Sequence, residues 1–134
     1  MAGSKSDFLE NAILLHTYSA SAFTAPTTIY VALFTTAASD GATGTEVTGG
    51  SYARASTTAS SVNWGLSSTG TMKNLTSISY GTPSASWGTV VAAATMSLST
   101  GGNMLHWGDL TTSKTINSGD TVSFAASAIV LTED

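Results

Sequence analysis

The stretch Thr27-Thr28-Ile29-Tyr30-Val31-Ala32-Leu33-Phe34-Thr35 constrains this chain more than any other. Its two alternating sets, Ile29, Val31, Leu33 and Tyr30, Ala32, Phe34, are both apolar, so it reads as a strand buried on both faces. Such a strand needs a layer on either side, and an N-terminal helix is the expected cover for one of them. Asp7 with Glu10 three residues later forms a capping box, and Ser4 with Asp7 offers a second register. Phe8, Leu9, Ala12, Ile13 and His16 then share one helical face. Leu14 and Leu15 fall off it, so a helix over about residues 7–18 is expected to be covered on more than one side.

The remainder reads as short strands punctuated by turns. Residues 36–51 are rich in Gly, Ser, Thr and Asp and predict a long surface loop. Tyr52 to Thr58 predicts a strand, a small polar stretch leads to Trp64, and Met72 to Tyr80 alternates as a half-buried strand. Trp87 to Leu98 and Met104 to Gly108 flank a hairpin turn at residues 99–103. A short segment at Lys114 to Asn117, a turn over 117–120, Thr121 to Phe124 and Ala128 to Thr132 complete the series. Seven or eight short strands at regular spacing predict a mainly β protein: one antiparallel, jelly-roll-like β-sandwich with a short N-terminal α-helix.

Composition removes several function classes. At 134 residues the chain suits one domain, 1–134, around one core. Charged residues make up 9% and the formal net charge is −4, while the 42% hydrophobic content is enough to fold. The four basic residues, Lys5, Arg54, Lys73 and Lys114, are scattered, so nucleic acid is not an expected partner. With no Cys, disulfides and thiolate metal sites are excluded. No apolar run approaches the roughly 20 residues of a membrane helix, and no export signal is visible. Ser and Thr together form about a third of the chain, far above ordinary usage. A weakly charged exterior of this kind points to a surface covered by copies of the chain or by a partner.

No reactive constellation emerges. His16 lies on the helical face and His106 sits in a strand beside Trp107; neither joins a nucleophile motif, so both are read as structural. Asp40, Glu46, Asp109, Asp120, Glu133 and Asp134 are dispersed, without calcium-loop or paired-His spacing. Asp120 is expected to organise its own turn. Trp64, Trp87 and Trp107 permit a sugar-stacking reading but fit core or subunit packing better, with Gly88 and Gly108 leaving room for the indoles. Asn74-Leu75-Thr76 matches the glycosylation triplet. The expectation is therefore a protein without catalytic, cofactor-binding or metal-binding residues.

Several phrases carry a resemblance: Phe8-Leu9-Glu10-Asn11 with His16, Thr28 through Thr35, and Gly44-Thr45-Glu46-Val47-Thr48-Gly49-Gly50-Ser51-Tyr52-Ala53-Arg54. Ser86-Trp87-Gly88-Thr89-Val90, Gly101-Gly102-Asn103-Met104-Leu105 and Leu110 through Asp120 follow in order. Together they resemble a group of small tailed-bacteriophage virion proteins, generally labelled tail-fibre or head-decoration proteins. The chain departs from that group at Leu15, Ala92 and Ser97, where polar residues are common, and matches little over 60–75. The resemblance implies a non-enzymatic structural protein on the exterior of the phage particle, made in the host cytoplasm. Its expected partners are copies of itself, as a homotrimer, and other virion proteins such as the major capsid protein. Capsid decoration is the leading expectation. A tail-fibre or tail-tip module, or a carbohydrate-binding module using Trp64 or Tyr52, is the alternative.

Overall fold

The computed structural model describes residues 1–133. In chain order the elements are β1 (Ala2–Lys5), α1 (Asp7–Tyr18), β2 (Thr28–Phe34), β3 (Ala55–Thr58), β4 (Trp64–Ser68) and β5 (Thr71–Asn74). β6 (Ile78–Ser79), β7 (Gly88–Met96), β8 (Met104–Ile116), β9 (Ser123–Phe124) and β10 (Val130–Thr132) follow. Eight strands form one sheet in the order β3-β2-β7-β8-β1-β10-β5-β4, and β6 pairs with β9 in a separate ribbon. The sheet curls into an open half-barrel, jelly-roll-like in character. Two features depart from the expected antiparallel sandwich: the large sheet is one continuous layer, and β1 runs parallel to β10.

β1 joins the two halves of that sheet. Ala2 and Gly3 pair with Val130 and Leu131, whereas Ser4 and Lys5 pair with Trp107 and His106. Gly108 makes the close approach possible, since a Cβ there would lie 2.1 Å from the Ala2 carbonyl oxygen. Its missing side chain thus accommodates β1, not an indole. Under Trp87 the accommodating residue is Gly50: a Cβ there would stand 2.9 Å from the ring, and Trp87 Nε1 donates to the Gly50 carbonyl at 2.9 Å.

The sequence signal in β2 is borne out: Val31, Ala32, Leu33 and Phe34 are all buried. Val31 and Leu33 join the core on one face with Trp64, Ile78, Trp87, Val90 and Ile129. Ala32 and Phe34 join a second cluster with Ala38, Ala92, Ala94 and Met96. The helix does not cover that second face. Ala38 does, carried by the loop after β2, whose Asp40 carboxylate accepts from Trp107 Nε1 at 2.9 Å. The loop then runs beside β2 beyond Val31, where β3 no longer pairs with it, with Thr35 N–H donating to the Thr45 carbonyl and Val47 N–H to that of Leu33.

α1 packs instead on β8 and β1. Its N-cap is Ser6, one residue ahead of the expected Asp7: the hydroxyl oxygen accepts from Leu9 N–H at 3.3 Å. The buried Ser6 also donates its hydroxyl to the Met104 carbonyl and its N–H to the Leu105 carbonyl. The helix start is thereby bolted to β8.

Other differences have local causes. The expected strand Met72 to Tyr80 is two strands, because Asn74 turns inward. Its amide donates to the Thr76 and Ala125 carbonyls and accepts from Ile129 N–H, each at 2.9 Å. A fully buried Asn74 cannot serve as a glycan acceptor. Residues 104–116 form one long strand, not two short ones, but its register jumps: Ala92 faces Asp109 and Val90 faces Lys114.

Candidate functional site

Among the described residues no group of three His or carboxylate side chains could hold a metal ion. Several of the carboxylates read as dispersed have separate structural tasks. Asp40 holds Trp107, and Asp120 accepts from Asn117 N–H at 2.8 Å within its own turn. Asp134 lies outside the described residues.

Glu46 has the most elaborate surroundings. Arg54 Nε and Nη2 donate to its two oxygens, each at 2.7 Å, in a bidentate pair. Arg54 Nη1 reaches the carbonyls of Leu98 and Gly101 at 2.7 and 2.8 Å. Tyr52 donates its hydroxyl to Glu46 at 3.0 Å and accepts from Leu33 N–H at 3.0 Å. Burial, reinforced by the Glu46 charge, pushes the Tyr52 phenol well above its ordinary value, so it remains a donor. The hydrogen bond to Glu46 raises the Arg54 guanidinium further. The long loop, β3 and the β7–β8 turn therefore meet at one anchor. Sequence reasoning missed it. The available signal was opposite charges eight residues apart across Gly49-Gly50.

Most of the aromatic residues considered for sugar stacking are engaged within the fold. Trp64 and Trp87 are buried. Tyr52 meets Trp87 edge-on at 5.2 Å and stacks with Tyr80 at 6.5 Å. Burial lifts the Tyr80 phenol well above its usual range, and its hydroxyl donates to the Val31 carbonyl at 3.0 Å.

The histidines serve as connectors. His16 Nδ1 accepts from Phe23 N–H at 3.1 Å, turning the linker back along the helix. His106 Nε2 lies 2.8 Å from Glu133 Oε1, and Lys5 Nζ is 2.8 Å from Glu133 Oε2. Burial lowers the His106 pKa despite the carboxylate, so the neutral ring donates from Nε2. For Glu133 burial acts upward, but the hydrogen bonds from Lys5 and His106 prevail and hold the carboxyl below its ordinary value. Among the described residues neither ring is hydrogen-bonded to a Ser or Thr hydroxyl.

What stands open is apolar. A groove of about 470 Å³ runs between the root of α1 and the two lips of the half-barrel. Leu9, Phe23 and Pro26 line its helix end, Ile29 and Ala59 one lip, and Trp64 and Met72 the other; among the described residues no Lys, Arg, Asp or Glu lines it. Leu66 pairs with Met72 across β4 and β5, so both side chains share a face and extend the groove outward. Leu66 is 72% exposed and Val62 is 73% exposed. On α1, Leu14, Leu15 and Tyr18 are 55%, 49% and 81% exposed, against 8% for Leu9. A second cleft of about 600 Å³ along β8 mixes Thr111, Thr112, Thr121 and Lys114 with Leu110 and Phe124. The 36–51 loop is thus tied down, while the stretch around Trp64 presents bare apolar side chains.

The chain belongs to the family described as podophage GP4 fiber I protein gp80, whose family model matches residues 4–132. No curated protein matches it significantly. Membership makes it a fibre-type structural protein of a small tailed-phage virion, and not an enzyme.

Proposed function

We propose that this fibre-family chain is a self-associating module of a phage tail fibre, carried on the exterior of the particle as a homotrimer after synthesis in the host cytoplasm. Capsid decoration, the leading expectation from sequence, yields to this reading because the matching family is described by a fiber protein. The observation that carries it is the exposed apolar surface made by Leu14, Leu15 and Tyr18 on the helix and Val62 and Leu66 on the sheet lip. Exposed apolar side chains without reactive groups suit assembly, since covering them removes apolar area from water at little electrostatic cost. The half-barrel behind it, pinned by Glu46 and Arg54, supplies a rigid support.

The reading is tested on purified virions by electron cryomicroscopy, with sedimentation of the isolated chain alongside. Density for the chain at the tail, and an oligomer in solution, are expected. Density on the head shell would overturn the fibre placement and return the chain to capsid decoration. A strict monomer in solution would overturn the self-association.

A further inference from the structure

Between β8 on one side and the segment through β9 and β10 on the other the fold leaves a slot, and β1 fills one end of it. Ser4 and Lys5 pair with β8, while Ala2 and Gly3 pair with β10. Met1 closes the filled end, its ammonium donating to the Ala128 carbonyl at 2.8 Å and its carbonyl accepting from Val130 N–H. Past Met1 the slot continues as the cleft of about 600 Å³ along β8. One wall of that cleft is β8 from Leu110 to Ile116, and the other is residues 120–125. Among the described residues no strand pairs with β8 beyond Trp107 on the β1 side, and β9 pairs with β6 alone. The jump in register frees still more backbone, because Leu110, Thr111, Thr112 and Ser113 face no residue of β7 either. Among the described residues no backbone hydrogen bond crosses from wall to wall.

We infer that this cleft receives an extended strand of a different virion polypeptide, added in line with β1 and antiparallel to β8. An unpaired strand edge presents a row of N–H and C=O groups, and an extended backbone is the partner that satisfies them. β1 is the internal precedent, since it already occupies the neighbouring half of the same slot in that way. Its register, with Ser4 opposite Trp107 and Lys5 opposite His106, places a strand continuing upstream of Met1 opposite Thr111 to Thr115. The floor there is Leu33, Val90 and Ile116 of the main core, whereas Thr111, Thr112 and Thr115 stand exposed on the rim. A donor that alternates apolar and hydroxyl side chains therefore fits, its apolar set against the floor. The two ionic groups at the cleft, Lys114 and Asp120, are opposite in sign, and Asp120 already accepts from Asn117 N–H. The cleft thus asks no net charge of its occupant. Another copy of this chain is the poorer donor, because every described strand is already paired within its own fold. The contact is separate from the self-association proposed above and adds a second kind of partner.

Two measurements on the full chain test this. The first adds Thr-Val-Thr-Val-Thr upstream of Met1, which supplies the strand at high effective concentration. Alternate amides over residues 111–115 should then exchange at least about tenfold more slowly than in the unextended chain, and the thermal midpoint should rise. A Thr-Pro-Thr-Pro-Thr extension lacks two of the N–H donors and should do neither. Equal exchange in all three chains would overturn the cleft as a strand acceptor. The second measurement places a photoreactive side chain at the exposed Thr112, as Thr112→p-benzoylphenylalanine, in assembled phage particles. Cross-links to a segment of another virion protein are expected, with the 111–115 amides of the unsubstituted chain protected in the particle. A cross-link only to further copies of this chain would overturn the choice of donor. Amides that exchange in the particle as fast as in the isolated chain would overturn the occupation. Sedimentation of the isolated chain is blind to both results, so failure here leaves the self-association reading standing.

Discussion

Arg54 grips Glu46 with two parallel hydrogen bonds of 2.7 Å and spends its remaining nitrogen on the carbonyls of Leu98 and Gly101. One side chain thereby ties together the end of the long loop, the strand after it and a turn more than forty residues away. The guanidinium is the fitting group, because its planar fork serves a carboxylate and two carbonyls at once, which a Lys ammonium cannot reproduce. Arg54→Ala is expected to cost about 3 kcal/mol, the lower end for breaking a buried pair, since Glu46 retains some solvent. Arg54→Lys should recover only part of that. Urea unfolding measures both; a loss under about 1 kcal/mol for the Ala variant would mean that the loop is held by its backbone bonds alone.

The helix makes its contribution through Leu9, which is 8% exposed, and only marginally through Phe8, which meets Phe23 edge-on at 6.4 Å near the surface. Leu9→Ala should destabilise by about 2–5 kcal/mol, as for a buried Leu. Phe8→Ala should cost less than Leu9→Ala, because much of its ring is already in water. Thermal unfolding of the two variants decides between them, and the reverse order would put Phe8 in the core as the sequence suggests.

Gly108 is expected to tolerate no side chain. A Cβ 2.1 Å from the Ala2 carbonyl oxygen must push β1 away from β8, because backbone cannot swing aside as a side chain can. Gly108→Ala should cost at least about 1–3 kcal/mol, the range for overpacking a close contact. Hydrogen exchange should show faster exchange at the amide of Ser6, which donates to Leu105 just beyond the pairing. Unchanged protection there would mean that β1 holds its place without this close approach.

Legibility in the sequence followed the range of the interactions. β2 was legible because both of its alternating sets are apolar, which only a doubly buried strand requires. The helix was legible within one residue because capping is local chemistry between Ser6, Leu9 and their neighbours. β1 was not legible: Met1 to Lys5 lacks any apolar alternation, and it becomes a strand because β8 and β10 each offer an edge. β4 was hidden by its small and polar residues, Gly65, Ser67 and Ser68. The exposed surface was half legible. Leu14 and Leu15 visibly leave the inner face of the helix, but which stripe points inward depends on Ser6 bonding to Met104 and Leu105, a contact about a hundred residues away along the chain.

Stability should fall on acidification in two steps, each with its own residue. The His106 pKa is lowered below its ordinary value of 6.5 by burial. The unfolded chain therefore takes up a proton that the folded chain resists, so stability is full above about pH 6.5 and declines as pH falls through the folded value. Glu133 is also held below its ordinary value of 4.5, by Lys5 and His106 against the opposing effect of burial. Its contribution is present above that value and is lost only at lower pH. His106→Gln keeps a donor for Glu133 but cannot titrate, so it should flatten the upper decline and leave the lower one. Urea midpoints measured from about pH 8 down to about pH 4 separate the two limbs. A His106→Gln profile that still bends near pH 6.5 would assign that step to a group other than His106, and an upper limb of opposite slope would mean that the ring is charged in the fold.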